Sequence, residues 1–346
     1  MIFSTNFIWP NSFILIALIS IFIINLIGIY LYKKIALRAG IIANKNTRTL
    51  HTDPVPLGGG IVFSSVFVLS ILLFWFLGEV SIDIVKIFFF GAAAAAIFGF
   101  VDDLKNIKAS IKLIFQIFLS GWTIYCLEGG LIFVSPSIPI VVSFLLTLFL
   151  LVWVINAYNF MDGIDGMAIS GATFVSLILA MVVLITNGEL EFFLIFLLLL
   201  SCTGAFLVFN WPAASIFMGD AGSIFLGYFF GSMILITITS GDISMWAWII
   251  AFGYFFGDTT MTQVMRVILV KKWYLAHRSH AYQNLARITN SHFRITAGVT
   301  AYHLIWIFPL MIWSVLHPEM EIFAAILAIV PSLLFTYKYG PALSSS

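Results

Sequence analysis

The stretch Asn156-Ala-Tyr-Asn-Phe-Met-Asp-Gly-Ile-Asp-Gly166 decides how this chain is read. It lies between two apolar runs, Ile138 to Ile155 and Met167 to Thr186, so two amides and two carboxylates stand where a membrane span would end. Polar groups at that depth are costly unless they serve a water-filled site. Asn156, Asn159, Asp162 and Asp165 recur at every third residue, a step of about 300° on an α-helix that carries the stripe around the axis. One straight helix does not hold all four on one face. Gly163 and Gly166 are weak helix formers and good loop residues, which predicts a helix ending near Asn159 and a turn that curls its side chains round a ligand. The plainer alternative is a hydrophilic turn with helix caps. Such turns rarely carry so many acceptors in a chain with so little charge elsewhere.

Of the 346 residues, 62% are hydrophobic and only 9% are charged, a surface that no soluble domain tolerates. The composition predicts an all-α, polytopic integral membrane protein. Apolar runs of about twenty residues mark the spans. Eleven are expected: Phe13–Tyr32, Gly58–Leu77, Val85–Val101, Ile111–Leu127, Ile138–Ile155, Met167–Thr186, Leu190–Phe209, Gly222–Ser240, Met245–Val267, Ala297–Leu316 and Met320–Tyr337. Each should be helical, because lipid offers backbone groups no partners. The whole chain, 1–346, reads as one membrane-embedded domain with longer loops at 33–56 and 270–296.

Basic residues give the orientation. Fifteen of the sixteen Lys and Arg fall after spans one, three, nine and eleven, and Lys86 is the exception. Positive charge marks the cytoplasmic side, so the N-terminus is expected outside and the C-terminus inside. The opposite loops carry Glu79, Asp83, Glu128, Glu189, Glu191, Asp242, Glu319 and Glu321. A net charge of +1 argues against nucleic acid as a partner. Span one is too long for a signal-peptide core and lacks a basic flank before it, so it is expected to stay. Cys126 and Cys202 sit inside apolar spans without paired spacing, which points to neither metal nor disulfide.

The expected cytoplasmic face carries four more motifs. Leu50-His-Thr-Asp-Pro-Val-Pro-Leu-Gly-Gly-Gly60 opens span two. Three glycines at a helix start would leave N–H groups open to a phosphate, or would simply ease the helix entry. Phe100-Val-Asp-Asp-Leu-Lys105 closes span three, and Lys112 and Gln116 follow on one helical face. The adjacent Asp102 and Asp103 repel one another unless a cation sits nearby; a divalent metal does that. In Asn210-Trp-Pro-Ala-Ala-Ser-Ile-Phe-Met-Gly-Asp-Ala-Gly-Ser223, Asp220 lies between glycines at a helix start, where a hard cation can reach it. His277-Arg-Ser-His-Ala-Tyr-Gln283 offers His277, Arg278 and His280 to a polyanion; binding to anionic lipid is the alternative for such a loop. Asp258, inside span nine, matches none of these clusters. For it, packing weighs as much as function.

Asp102, Asp103, Asp162, Asp165, Asp220 and, at the margin, Asp53 thus share one face with asparagines, glycine-rich helix starts and a His/Arg loop. An acid-lined metal site open to water and to lipid suits phosphoryl transfer between a soluble and a lipid-soluble phosphate. The metal would offset repulsion between an anionic nucleophile and its anionic target. A lipid monophosphate, with its second pKa near about 6, is largely ionised at neutral pH, so a strong general base is dispensable.

The motifs resemble those of the polyprenyl-phosphate N-acetylhexosamine-1-phosphate transferases. That superfamily (glycosyltransferase family 4 type) includes the phospho-N-acetylmuramoyl-pentapeptide transferase and the enzymes that begin O-antigen and enterobacterial common antigen synthesis. The likeness runs from the His51–Gly60 loop to the His277–Gln283 loop, with every block in family order. It implies that a UDP-N-acetylhexosamine and undecaprenyl phosphate give undecaprenyl-diphosphate-sugar and UMP. It also implies Mg2+, with Mn2+ as a substitute, and a site on the cytoplasmic face of the bacterial inner membrane. By position, Asp102 and Asp103 match the family's catalytic aspartate pair, Asp220 its principal metal ligand, and Asp162 a metal-side residue. Asn156, Asn159, Asp165, Asn210 and Phe217 match the nucleotide-sugar pocket, with Phe217 a stacking ring, and the resemblance extends that pocket to His277, Arg278 and His280. Lys112 and Gln116 fall on the lipid-phosphate pattern.

His277-Arg-Ser-His looks closer to the O-antigen branch, which implies N-acetylglucosamine or a 6-deoxy relative such as N-acetylfucosamine or N-acetylquinovosamine as the sugar. Leu57 and Ser215 depart from the family where relatives often carry a cation. A homodimer stays open as the assembly. The rival function is an ion-coupled secondary transporter, which would place its acids near the bilayer midplane.

Overall fold

The computed structural model describes residues 10–43, 54–269 and 278–341. His51, Asp53 and His277 lie outside the described residues. Helices account for the architecture, and no strand forms among the described residues beyond an isolated bridge between Ile42 and Pro56. Nine helices there are long and apolar enough to cross a membrane.

In chain order the helices are α1 (Asn11–Ala39), α2 (Gly60–Phe76), α3 (Ile82–Lys105), α4 (Ala109–Cys126), α5 (Ile140–Phe160), α6 (Met167–Thr186) and α7 (Leu190–Asn210). There follow α8 (Gly219–Ser240), α9 (Met245–Ala251), α10 (Gly253–Leu269), α11 (Ala281–Thr289), α12 (His292–Leu316) and α13 (Glu321–Tyr339). All eleven apolar runs are helical, but two differ from the expected single spans. The second is only 17 residues long, and the ninth breaks at Phe252 into α9 and α10. At that break the Gly253 carbonyl accepts the Ser332 hydroxyl of α13 at 2.8 Å, so a side chain takes over part of the helix's own hydrogen bonding.

The centre is α8, apolar all round and buried from Ala221 to Thr237, as a helix inside a bundle should be. It packs against α2, α3 and α5. Phe225 and Phe229 meet Phe67 of α2 at 5.5 and 5.2 Å between ring centroids, and Phe88 of α3 meets Phe229 at 5.1 Å. Such ring pairs add to plain burial. At one end the helices close up further. A Cβ on Gly60 would lie 2.2 Å from the Gly222 nitrogen, and one on Gly99 2.1 Å from the Asp220 carbonyl oxygen. The glycines let the ends of α2, α3 and α8 converge on Asp220.

Acidic loops meet at the other end. Glu191 accepts the Ser81 N–H, Asp242 accepts the Glu189 N–H at 2.8 Å, and Ser244 pairs with Glu321.

Candidate active site

The last turn of α3, the first turns of α4 and α8, and the end of α5 together form one polar cluster. Asp103 accepts the N–H groups of Asp220 at 2.8 Å and Ala221 at 3.1 Å, so its carboxylate sits on the electropositive start of α8. Gly219 makes room for it. Its φ of 72° suits glycine, and a Cβ there would lie 2.4 Å from Asp103 Oδ2. Asp102, 2% exposed, accepts the Ile107 N–H at 2.7 Å. Asn106, left-handed at φ 50°, ends α3 and turns the chain back toward α4.

From α4, the Lys112 ammonium reaches Asp220 Oδ2 at 2.9 Å and lies against Asp102 Oδ2. Asn159, in the last turn of α5, donates to Asp220 Oδ1 at 2.9 Å and to the Ser223 hydroxyl at 2.8 Å. Two carboxylates from different helices therefore converge on one cation, which here is the protein's own ammonium. No group of three or more His, Cys, Asp or Glu converges as metal ligands among the described residues. Two carboxylates completed by water and phosphate oxygens are nonetheless a donor set that Mg2+ takes, so the residues present fit it.

Asp162 follows in the loop after α5. Burial, with the Asp220, Asp103 and Asp165 carboxylates nearby, pushes its carboxyl well above the usual carboxylate range. The helix ends at Phe160, one residue beyond the expected Asn159.

The other expected site residues have structural partners. Asn156 donates to Gln116 Oε1 at 2.7 Å, which ties α5 to α4 beside Lys112. Asp165, 4% exposed, accepts the Ala214 N–H at 2.9 Å and meets His292 Nδ1 at 3.0 Å. Asn210 accepts the Gly166 N–H at 3.0 Å and donates to the Ile216 carbonyl at 2.8 Å, so it clasps the 161–166 loop to the 211–218 loop. Phe217 pairs through its backbone with Pro56, at 2.8 Å.

The glycines before α2 differ from one of the two expectations. The Gly59 and Gly60 N–H groups donate to the carbonyls of Phe217 and Met218, both at 2.9 Å. These donors serve loop pairing, and the anion-binding role expected for them is corrected: a Cβ on Gly60 would meet Gly222 of α8, one on Gly59 the Phe206 and Ile216 side chains, and one on Gly58, at φ 79°, Tyr32 and Phe100.

His280 and Arg278 part company. Arg278 is exposed, whereas His280 is 2% exposed with Nδ1 at 3.1 Å from Asp258 Oδ2. Asp258 also accepts the Ala281 N–H at 3.1 Å and the Thr336 hydroxyl at 2.8 Å. It thereby caps α11 from another helix, a role the sequence does not display. The next residue on, Tyr282, donates to the Phe160 carbonyl at 2.6 Å and packs against Gly163. The 278–283 segment is thus docked beside the turn that holds Asp162. A cavity of about 740 Å³ lies beside Asp83, Lys86 and Glu128, away from this cluster.

The fold and cluster define a multi-pass membrane protein with an acidic, cation-holding site at its helix ends. Residues 85–238, which include Asp102, Asp103, Lys112, Asn159, Asp162 and Asp220, match the family model of glycosyl transferase family 4. The chain is homologous to transferases named for undecaprenyl-phosphate N-acetylglucosamine 1-phosphate and for phospho-N-acetylmuramoyl-pentapeptide. It is 26% identical over 343 residues to a Bacillus subtilis (strain 168) protein described as "Probable undecaprenyl-phosphate N-acetylglucosaminyl 1-phosphate transferase", covering 91% of this chain and 94% of the relative. It is 31% identical over 198 residues to the phospho-N-acetylmuramoyl-pentapeptide-transferase of Fervidobacterium nodosum, covering 54% of this chain and 60% of that one. The Streptococcus pneumoniae (strain D39) protein of the same name is 28% identical over 227 residues, covering 60% and 68%.

Proposed function

We propose that the protein transfers a sugar-1-phosphate from a UDP-N-acetylhexosamine to undecaprenyl phosphate, giving undecaprenyl-diphosphate-sugar and UMP. The observation that carries this reading is the convergence of Asp102 and Asp220 on one cation at the ends of membrane helices. The extent of the likeness to the Bacillus protein supports N-acetylglucosamine as the first donor to test. The product would begin an O-antigen or another cell-envelope polysaccharide.

An oxygen of the lipid phosphate forms a bond to the sugar-bearing phosphorus, and the bond to the bridging oxygen breaks. UMP leaves with that oxygen. The nucleophile is already ionised at neutral pH, so direct attack needs no strong base. Lys112, now on Asp220, would meet the lipid phosphate as it arrives, and Gln116, paired with Asn156, keeps that side of α4 in register. Asp103 holds the start of α8, which fixes where Asp220 points, and Asn159 fixes it from α5. Mg2+ would be held by Asp220 with Asp102 and Asp162 beside it, and it supplies charge neutralisation between the two anionic reactants. Arg278, exposed beside the turn, is available to the donor's phosphates.

An ion-coupled transporter needs carboxylates near the middle of its spans. Asp102 and Asp103 fall in the last turn of α3 and Asp220 in the first of α8, which favours the transferase. The test is a panel of UDP-N-acetyl sugars with undecaprenyl phosphate and Mg2+. One donor should release UMP in a lipid-dependent way, and silence across the panel would favour the transporter.

A further inference from the structure

Asp165, a nucleotide-sugar residue by resemblance, gives both carboxylate oxygens to its own chain. Oδ2 accepts the Ala214 N–H at 2.9 Å, and Oδ1 lies 3.0 Å from His292 Nδ1. A carboxylate only accepts, so the second contact puts the imidazole proton on Nδ1, between the two groups. Asp165 is 4% exposed, and a carboxylate buried that far is costly unless its oxygens are matched. His292 is the first residue of α12, whose start is capped by the Ser291 hydroxyl accepting the Arg294 N–H at 3.3 Å. The carboxylate thus also sits at the electropositive end of a membrane helix. No local pattern in the sequence marks His292, because its partner lies 127 positions earlier.

The contact belongs to a larger clasp. Thr296, one turn along α12, donates to the Asp165 carbonyl at 2.6 Å, and Phe293 meets Trp211 at 6.2 Å between ring centroids. From α7, Asn210 takes the Gly166 N–H and reaches the Ile216 carbonyl. A Cβ on Gly166 would lie 3.0 Å from Pro212 Cδ and 3.1 Å from Thr296 Cγ2, so turn, loop and helix meet at one point. Two segments are held in this way. The 161–166 turn carries Asp162, and the 211–218 loop runs into Gly219 and Asp220. In the proposed transfer the lipid phosphate comes to Lys112 on α4, which leaves the donor to the side that the two clasped segments close.

Resting on that reading of the reaction, we propose that His292 is a positioning residue for the nucleotide-sugar. By holding Asp165 it fixes the two segments against which the donor binds, and it leaves the site of the lipid phosphate alone. A brace for the fold as a whole would weaken both substrates together, whereas this clasp acts on one.

Substitutions separate the two roles. His292→Leu removes the donor to Asp165, whereas His292→Asn returns an amide N–H near the place of Nδ1. Thr296→Val deletes the other α12 donor to Asp165 with little change of volume. Purified full-length protein, checked for monodispersity and thermal midpoint, is assayed with Mg2+, undecaprenyl phosphate and the UDP-N-acetyl sugar that supports turnover. UMP binding is measured separately by calorimetry. His292→Leu should raise the donor KM and the UMP Kd about tenfold, as loss of a hydrogen bond to a charged group does. Its kcat and lipid KM should stay within about twofold of the wild type. His292→Asn should restore most of the donor affinity, and Thr296→Val should raise the donor KM about threefold or more. On an Asp165→Asn background His292→Leu should add less than about twofold, because its partner is already altered. An unchanged donor KM in His292→Leu and Thr296→Val, or an equal loss in His292→Leu and His292→Asn, would overturn the inference. So would a kcat or lipid KM that moves as far as the donor KM, or the full loss on the Asp165→Asn background. A wild type that neither binds UMP nor turns over any donor would overturn the transferase reading, and this inference with it.

Discussion

The Asp103 carboxylate accepts the backbone N–H of Asp220 at 2.8 Å, so the end of one membrane helix sets the start of another 117 positions away in the chain. The acid pair of α3 therefore does two jobs. Asp102 faces the Lys112 ammonium, while Asp103 caps the helix that presents Asp220.

Asp103→Ala removes the acceptor for two N–H groups, and loss of a helix cap costs about 1–2 kcal/mol. Thermal unfolding in detergent should show a midpoint lower by a few degrees. Asp103→Asn keeps one acceptor oxygen and should recover much of that loss. Equal midpoints for the two variants would mean that capping is not what Asp103 supplies.

Gly219 and Gly121 should respond oppositely to alanine. At Gly219 the φ of 72° and the nearby Asp103 oxygens make any Cβ strained, at a backbone cost of about 1–2 kcal/mol before the clash. Gly121, inside α4 with nothing within 4 Å of an added Cβ, should gain about 0.5–1 kcal/mol from alanine. Paired unfolding curves for Gly219→Ala and Gly121→Ala decide it. A stable Gly219→Ala would contradict the geometry at the start of α8.

Much of this was legible in the sequence because local rules governed it. Helix-length apolar runs gave the helices, nine of them long and apolar enough to cross a membrane among the described residues, and glycines after Asn159 gave the turn, to within one residue at Phe160. Of the six aspartates expected on one face, Asp102, Asp103 and Asp220 meet around Lys112 and Asn159, while Asp165 is engaged by Ala214 and His292. What escaped depends on partners far along the chain. Asp258 finds Thr336, 78 residues on, and no local pattern announces that pairing. Gly59 and Gly60 looked like open anion donors because Phe217 and Met218, their actual acceptors, lie more than 150 residues away. The break at Phe252 likewise depends on Ser332 of α13.

Asp258→Ala should loosen α11. It strands the Ala281 N–H, the Thr336 hydroxyl and His280 Nδ1, at a combined cost on the order of 3 kcal/mol. Hydrogen exchange at the Ala281 amide should accelerate strongly in the variant while exchange in α8 stays slow. Unchanged protection at Ala281 would remove Asp258 from the docking of this segment.

Lys112→Ala tests what the ammonium stands in for. Without it, Asp102 and Asp220 face one another without a countercharge, so a divalent cation should stabilise the variant more than the wild type. A cation at a hundred times its Kd contributes about 2.7 kcal/mol through binding to the folded state alone. Thermal midpoints with and without Mg2+ should differ more for Lys112→Ala than for the wild type. An equal Mg2+ shift in both would separate the cation from this pair of acids.

The most direct test is UMP release by purified wild type and Asp220→Asn with UDP-N-acetylglucosamine, undecaprenyl phosphate and Mg2+. The wild type should release UMP only when lipid and cation are both present, and Asp220→Asn, equally folded, should be slower by about a hundredfold or more. Wild-type turnover in Asp220→Asn would contradict the claim that the carboxylates gathered at these helix ends perform the transfer.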